Sequence, residues 1–164
     1  IIVGSKQYTI NKNGVVTAEE SLTVSDATLG GRIVNFALQY VGNPYVYGGT
    51  SLTNGADCSG FGQTVFANFS IKLLRVADDQ MKGPSNSLIK QGYKEAVIVD
   101  MSSIQPGDLL FYGTSSPAYA THVAIYMGNG KIVHASNSQP YPAGGIKVSN
   151  YDYQTPIRAV RYWY

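Results

Sequence analysis

The chain has one cysteine among its 164 residues, which excludes an internal disulfide framework. Histidine is almost as scarce, with two, at 122 and 134. Charge is sparse too: Asp, Glu, Lys and Arg make up 13% of the residues, and 12 basic against 10 acidic side chains leave a net charge of +2. No run of Lys and Arg builds a phosphate-tracking stripe, so nucleic acid is not an expected partner. No apolar stretch approaches the roughly 20 residues that span a bilayer, so no transmembrane segment is expected. Neither an initiator Met nor a signal peptide is present, and the chain reads as a processed or excised piece. What is present is a 44% hydrophobic composition, enough to bury a core, together with 18 Gly and 13 Tyr. Few charges with many glycines and hydroxyls suit an extracellular protein, and a monomer is the default expectation.

Residues 1–26 read differently from the rest. Short strand-like runs alternate with turn residues, and Asn13-Gly14 is a good turn signal. The stretch from Gly4 to Val16 resembles one unit of the hairpin repeats with which bacterial surface proteins bind choline or glucan. It lacks the Trp and paired aromatics of those sites and retains Tyr8. A linker, or the remnant of an upstream repeat array able to touch cell-wall glycan, is the expectation for this segment.

Residues 27–164 form the expected main domain. Asp26-Ala27-Thr28 offers capping groups ahead of an apolar face running from Ile33 to Val41, ended by Gly42-Asn43-Pro44. A Gly- and Thr-rich loop leads to a second helix predicted from Cys58 to about Phe69. Residues 71–95 are mixed and polar, with room for one short helix. The last third turns to strands: Leu109–Tyr112 after a Pro106-Gly107-Asp108 turn, His122–Met127, Lys131–Ala135 and Ile157–Trp163. Helices first and an antiparallel sheet after them predict an α+β fold.

The chemistry concentrates at Asp57-Cys58-Ser59-Gly60-Phe61-Gly62. Each glycine costs a helix about 1 kcal/mol relative to Ala, which makes sense where something approaches the backbone closely. Asp57 can cap the helix and put Cys58 at its first residue, where the helix dipole favours the thiolate. A thiolate nucleophile needs a base and a group that orients the base. If Met127 pairs with Lys131 around a three-residue loop, residue 122 pairs with 136, and His134 lies diagonally next to His122 on one face. A two-residue loop would put the two imidazoles on opposite faces. The plain alternatives are a buried Cys in a Gly-rich helix and two satisfied core histidines. The same three side chains could also hold zinc with an open fourth position, but the close ligand spacing of recognisable zinc sites is absent, and no metal or other cofactor is expected.

Tyr45-Val46-Tyr47-Gly48-Gly49, Asp57-Cys58-Ser59-Gly60-Phe61, Gln105-Pro106-Gly107-Asp108-Leu109-Leu110-Phe111, His122 to Gly128 and Ile132-Val133-His134-Ala135 occur in this order. Together they resemble the NlpC family of bacterial cell-wall cysteine peptidases over roughly residues 30 to 163. The resemblance implies a papain-like fold, with N-terminal helices packed on a central antiparallel sheet. It implies Cys58 as nucleophile, His122 as general base and His134 as the orienting third member, a place some family members fill with another polar residue. Tyr45 matches a family Tyr whose hydroxyl can help stabilise an oxyanion, its plain alternative being an aromatic packed under the loop. Asp57 and Ser59 match positions that in some members hold the free amine of a stem peptide's N-terminal Ala, although Asp57 can also be purely a cap.

The implied activity is hydrolysis of peptidoglycan stem peptides at the bond from D-γ-glutamyl to a diamino acid, by a secreted or cell-wall-associated thiol peptidase. An amidase or acyltransferase on the same fold is the nearer alternative. A catalytically inert wall-binding module is the more distant one.

Overall fold

The computed structural model describes residues 24–164 and, before them, four two-residue strands: β1 (Ile2–Val3), β2 (Lys6–Gln7), β3 (Thr9–Ile10) and β4 (Val16–Thr17). β1 pairs with β2 and β3 with β4, both antiparallel. Apart from these strands and residues 24–26, the linker-or-repeat reading of residues 1–26 falls on residues outside those described.

Helix α1 (Leu29–Leu38) begins where Thr28 Oγ1 accepts the Gly31 amide at 3.0 Å. Its glycines are spatial necessities. A Cβ on Gly30 would lie 2.1 Å from the Pro106 carbonyl oxygen and 2.5 Å from the Trp163 ring, and one on Gly31 would lie 1.8 Å from the Ser25 oxygen. Strands β5 (Thr50–Ser51) and β6 (Gly55–Ala56) form a small ribbon leading into α2 (Cys58–Ala67). The polar stretch that follows holds two short helices instead of the one expected, α3 (Ala77–Lys82) and α4 (Asn86–Ile89). Their brevity leaves the 3.6-residue period too few turns to show in the sequence.

The sheet contains β7 (Val97–Val99), β8 (Leu109–Ser115), β9 (Ala118–Gly128), β10 (Lys131–Ala135), β11 (Ile146–Asn150) and β12 (Arg158–Arg161). Its order is β11-β10-β9-β8-β12-β7, with every neighbouring pair antiparallel. Two of these strands, β7 and β11, lie beyond those the sequence predicts. One sheet face packs on the helices, where Leu109, Phe111, Val123, Ile125, Val133 and Val160 meet Ile33, Val34, Phe61 and Val65. The alternate residues Leu110, Tyr112, Ala124, Ile132 and Ala159 form a smaller cluster on the other face. The architecture is the α+β, papain-like arrangement expected.

The turn before β8 is held by a buried charge pair. Asp108, fully buried, accepts from Arg161 Nε at 2.7 Å and Nη2 at 2.8 Å, and from the Gln105 amide at 2.8 Å. Fork-to-fork geometry and a third donor satisfy the carboxylate that burial would otherwise penalise.

The β9–β10 hairpin departs from the expected loop yet keeps its register. Lys131 pairs with Gly128 around the two-residue turn Asn129-Gly130, whose φ values of 53° and 76° fit a type I′ turn. That closure alone would separate the histidines. However, Ile132 next pairs with Tyr126, leaving Met127 as a bulge and restoring the pairing that places residues 122 and 134 on one face.

Candidate active site

The first turn of α2 is assembled around Asp57. Its Oδ1 accepts the Gly60 amide at 2.7 Å, capping the helix, and its Oδ2 accepts the Gly48 amide at 3.0 Å. A Cβ on Gly60 would lie 2.2 Å from the Gly49 carbonyl oxygen, so the Tyr45–Gly49 loop approaches here as closely as the sequence implied. Gly62 is different, with nothing nearer to such a Cβ than Gln80 Oε1 at 3.9 Å.

Arg75, which the sequence did not single out, completes this corner. Its guanidinium reaches Asp57 Oδ1 at 3.0 Å and Oδ2 at 2.8 Å, and Ser59 Oγ at 2.9 Å. Burial works against the Asp57 charge, but hydrogen bonds from Arg75, Gly60 and Gly48 outweigh it and hold the carboxyl below its ordinary range. The carboxylate therefore does not stand bare in the cleft. Ser59 is buried beneath Arg75.

Cys58 is half-buried at the helix start, next to the cleft. Here the expectation of a helix-stabilised thiolate is corrected. Burial pushes the thiol above its ordinary pKa, and the Asp57 charge adds to this, although the Val123, Ser59 and Cys58 amides oppose them. Loss of solvation exceeds what a few amide dipoles return. The Val123 amide that reaches the sulfur belongs to the residue after His122, so β9 passes the thiol next to the histidine's position in the strand.

His122 Nε2 and His134 Nδ1 are 2.7 Å apart, with the rings edge to face. His134 is buried, and its Nε2 lies 2.9 Å from Ser149 Oγ on β11. Burial lowers the His122 pKa to about 4. Burial, then the charges of His122 and Lys147, lowers that of His134 well below the ordinary value. Both imidazoles are thus neutral at pH 7. Three of their four ring nitrogens, His122 Nε2 and both of His134, are engaged in these two contacts. Rings that face each other in this way do not converge on a common point, as zinc ligands must. Among the described residues no group of three His, Cys, Asp or Glu could hold a metal ion.

Aromatic residues enclose the pair. Tyr112 lies across from His122 in the β8–β9 ladder and donates its hydroxyl to the Tyr151 carbonyl at 2.8 Å. The Tyr153 ring sits 5.7 Å from His134 and 5.2 Å from Tyr112. Burial and the neighbouring Cys58 raise the Tyr153 hydroxyl to about 12. Tyr45, whose hydroxyl is raised by burial and then by Cys58 and Asp57, lines the same cleft as the cysteine. A cleft of about 580 Å³ runs past Tyr45, Asp57, Cys58, Ser59 and Arg75 to Asp78 and Tyr119. The site thus offers a thiol, a neutral imidazole held by a second one, and an open groove of mixed polarity.

The family model described as the NlpC/P60 family matches residues 42–159. The chain is similar to the bifunctional muramidase/DL-endopeptidase CwlT of Bacillus subtilis (strain 168), 37% identical over 107 residues, covering 65% of this chain and 29% of that protein. It is similar to the gamma-DL-glutamyl hydrolase of the same organism, 34% identical over 121 residues, covering 73% of this chain and 25% of that protein. Among solved structures it resembles the NlpC/p60 domain of the peptidoglycan hydrolase SagA, with a TM-score of 0.61 and 32% identity over 80% of this chain and 97% of that one. The chain therefore spans between a quarter and a third of the length of these two curated relatives.

Proposed function

The chain belongs to the NlpC/P60 family, and from that premise we propose that it is a peptidoglycan endopeptidase that cleaves the bond from D-γ-glutamyl to a diamino acid in stem peptides. The observation that carries this reading is the 2.7 Å contact between His122 and His134 beside a half-buried cysteine at the mouth of an open cleft. The names of two relatives, a DL-endopeptidase and a gamma-DL-glutamyl hydrolase, support the choice of bond.

In this mechanism Cys58 and His122 rest as a neutral pair. As the scissile carbonyl approaches, the thiol proton passes to His122 Nδ1 and the sulfur attacks the γ-glutamyl carbon. In this reading the Tyr45 hydroxyl, which lines the cleft beside Cys58, helps stabilise the developing oxyanion. His122 then protonates the leaving amine of the diamino acid. Water hydrolyses the thioester with His122 as base, and His134 holds the ring throughout. Asp57, Ser59 and Arg75 line the groove that receives the stem's N-terminal side. The substrate sets the compartment: the protein acts outside the cell, secreted or on the wall. No helix among the described residues is long and apolar enough to cross a membrane.

The test is digestion of purified muropeptides with mass analysis of the products. Fragments split between γ-glutamyl and the diamino acid are expected. Release of intact stems from the glycan would point to an amidase, and transfer to an added amine to an acyltransferase.

A further inference from the structure

We infer that Ser149 is the terminal positioning residue of the site, fixing the proton polarity of the two-histidine relay. This rests on the assignment of Cys58 and His122 as nucleophile and base. The His122 Nε2 to His134 Nδ1 contact of 2.7 Å and the His134 Nε2 to Ser149 Oγ contact of 2.9 Å form a continuous chain from β9 through β10 to β11.

A neutral imidazole carries one N–H, so the chain can run in two directions. If His122 Nδ1 is to accept the thiol proton, His122 must carry its own proton on Nε2. That N–H donates to His134 Nδ1, and His134 must then carry its proton on Nε2 and donate to Ser149 Oγ. In the reverse direction Ser149 donates to His134 Nε2, His134 donates from Nδ1 to His122, and His122 Nδ1 is already protonated. The reversed chain cannot take a proton from the thiol. Once His122 is an imidazolium, its Nε2–H must point at an acceptor, and the outward direction alone satisfies it. His134 is buried, and a sole Nε2–H without Ser149 would lose the acceptor it has in the structure. Ser149→Ala therefore strips the outward tautomer of its last acceptor. Proton transfer is affected, while Ser149 is not among the residues that line the cleft.

Among the described residues, titratable groups around the pair come from several packed elements. They are Cys58 from α2, Tyr112 from β8, Lys147 from β11, and Tyr153 from the turn after β11, with Asp152 beside Tyr112. Lys147 faces His134 as a cation and cannot replace Ser149 as an acceptor.

The experiment compares the wild type with Ser149→Ala, Ser149→Thr and Cys58→Ala on a γ-D-glutamyl tetrapeptide, with kcat, KM and melting temperature measured for each. Expected for Ser149→Ala is a fall in kcat of about tenfold or more with KM within about twofold, and for Ser149→Thr a return to within about threefold of wild type. The rate of Cys58 alkylation against pH should show the same loss and the same rescue. Ser149→Ala turning over at the wild-type rate, while Cys58→Ala is inert, would overturn the relay and leave the nucleophile assignment standing. Activity in Cys58→Ala would instead overturn the assignment beneath it. Nitrogen-15 spectra of the wild type decide the matter even if Ser149→Ala fails to fold, because the chain has two histidines to assign. His134 is expected as the Nε2–H tautomer, and the Nδ1–H tautomer would overturn the inference.

Discussion

Arg75 grips both carboxylate oxygens of Asp57, at 3.0 and 2.8 Å, from eighteen residues further along the chain. The anion that would greet a substrate's ammonium group is thus already paired. Recognition of a free N-terminal amine has to compete with a guanidinium or share the carboxylate with it. Arg75→Ala is expected to lower kcat/KM overall yet raise the preference for a free over an N-acylated tetrapeptide, by roughly tenfold, because Asp57 is left seeking a cation. Asp57→Asn should lower that preference. Ratios of kcat/KM on the two peptides read both effects, and a preference indifferent to both changes would limit Asp57 to capping α2.

Cys58→Ala is expected to abolish hydrolysis of muropeptides with the fold intact. The residue occupies the first position of α2 and is half-buried, so losing one sulfur atom costs about 1 kcal/mol or less, a shift in Tm of roughly 2–4 °C. Wild-type activity in a folded Cys58→Ala protein would rule out a thiol mechanism.

Acid should destabilise the protein through its histidines. The His122 pKa is depressed from 6.5 to about 4 in the folded state, so between those values the unfolded chain binds a proton that the native site refuses. Its contribution to stability is complete above pH 6.5 and lost as pH falls towards 4, on the order of 3 kcal/mol. His134 acts in the same direction. Denaturant unfolding at pH 7 and pH 4.5 should therefore show a smaller loss for His122→Gln than for wild type. An identical loss in the two proteins would mean the imidazole is not excluded from charging.

Away from the cleft, Arg161→Met is expected to be the costlier kind of change. It would leave the fully buried Asp108 without its bidentate partner, retaining the Gln105 amide. Stranding a buried charge costs about 3–5 kcal/mol. Adding the second-site change Asp108→Asn should recover part of it, which a double-mutant cycle on urea midpoints would measure.

The parts of the molecule that local rules govern were legible in the sequence. Thr28 and Asp57 announce α1 and α2 by cap chemistry, and the Gly60 signal of close approach has its partner in the Gly49 carbonyl. Arg75 was not legible, because it sits in a polar stretch without periodicity and its meaning depends on a contact made by the fold. β11 carries an alternating Ile146, Val148 pattern, but five residues after a Pro- and Gly-rich loop gave too short a run to separate from a turn. Ser149 was hidden with it. The direction of the thiol's shift is not legible in the sequence, because helix polarity is visible there and burial is not.

The Met127 bulge makes the site a matter of parity. Counting from His122 to His134, the hairpin must contain an odd correction to its even turn, or one imidazole rotates out of the site with every other side chain of its strand. Single insertions or deletions at the tip should therefore be eliminated, while paired ones survive. Hairpins of different lengths that keep the two rings together would differ by an even number of residues, or carry the compensating bulge elsewhere.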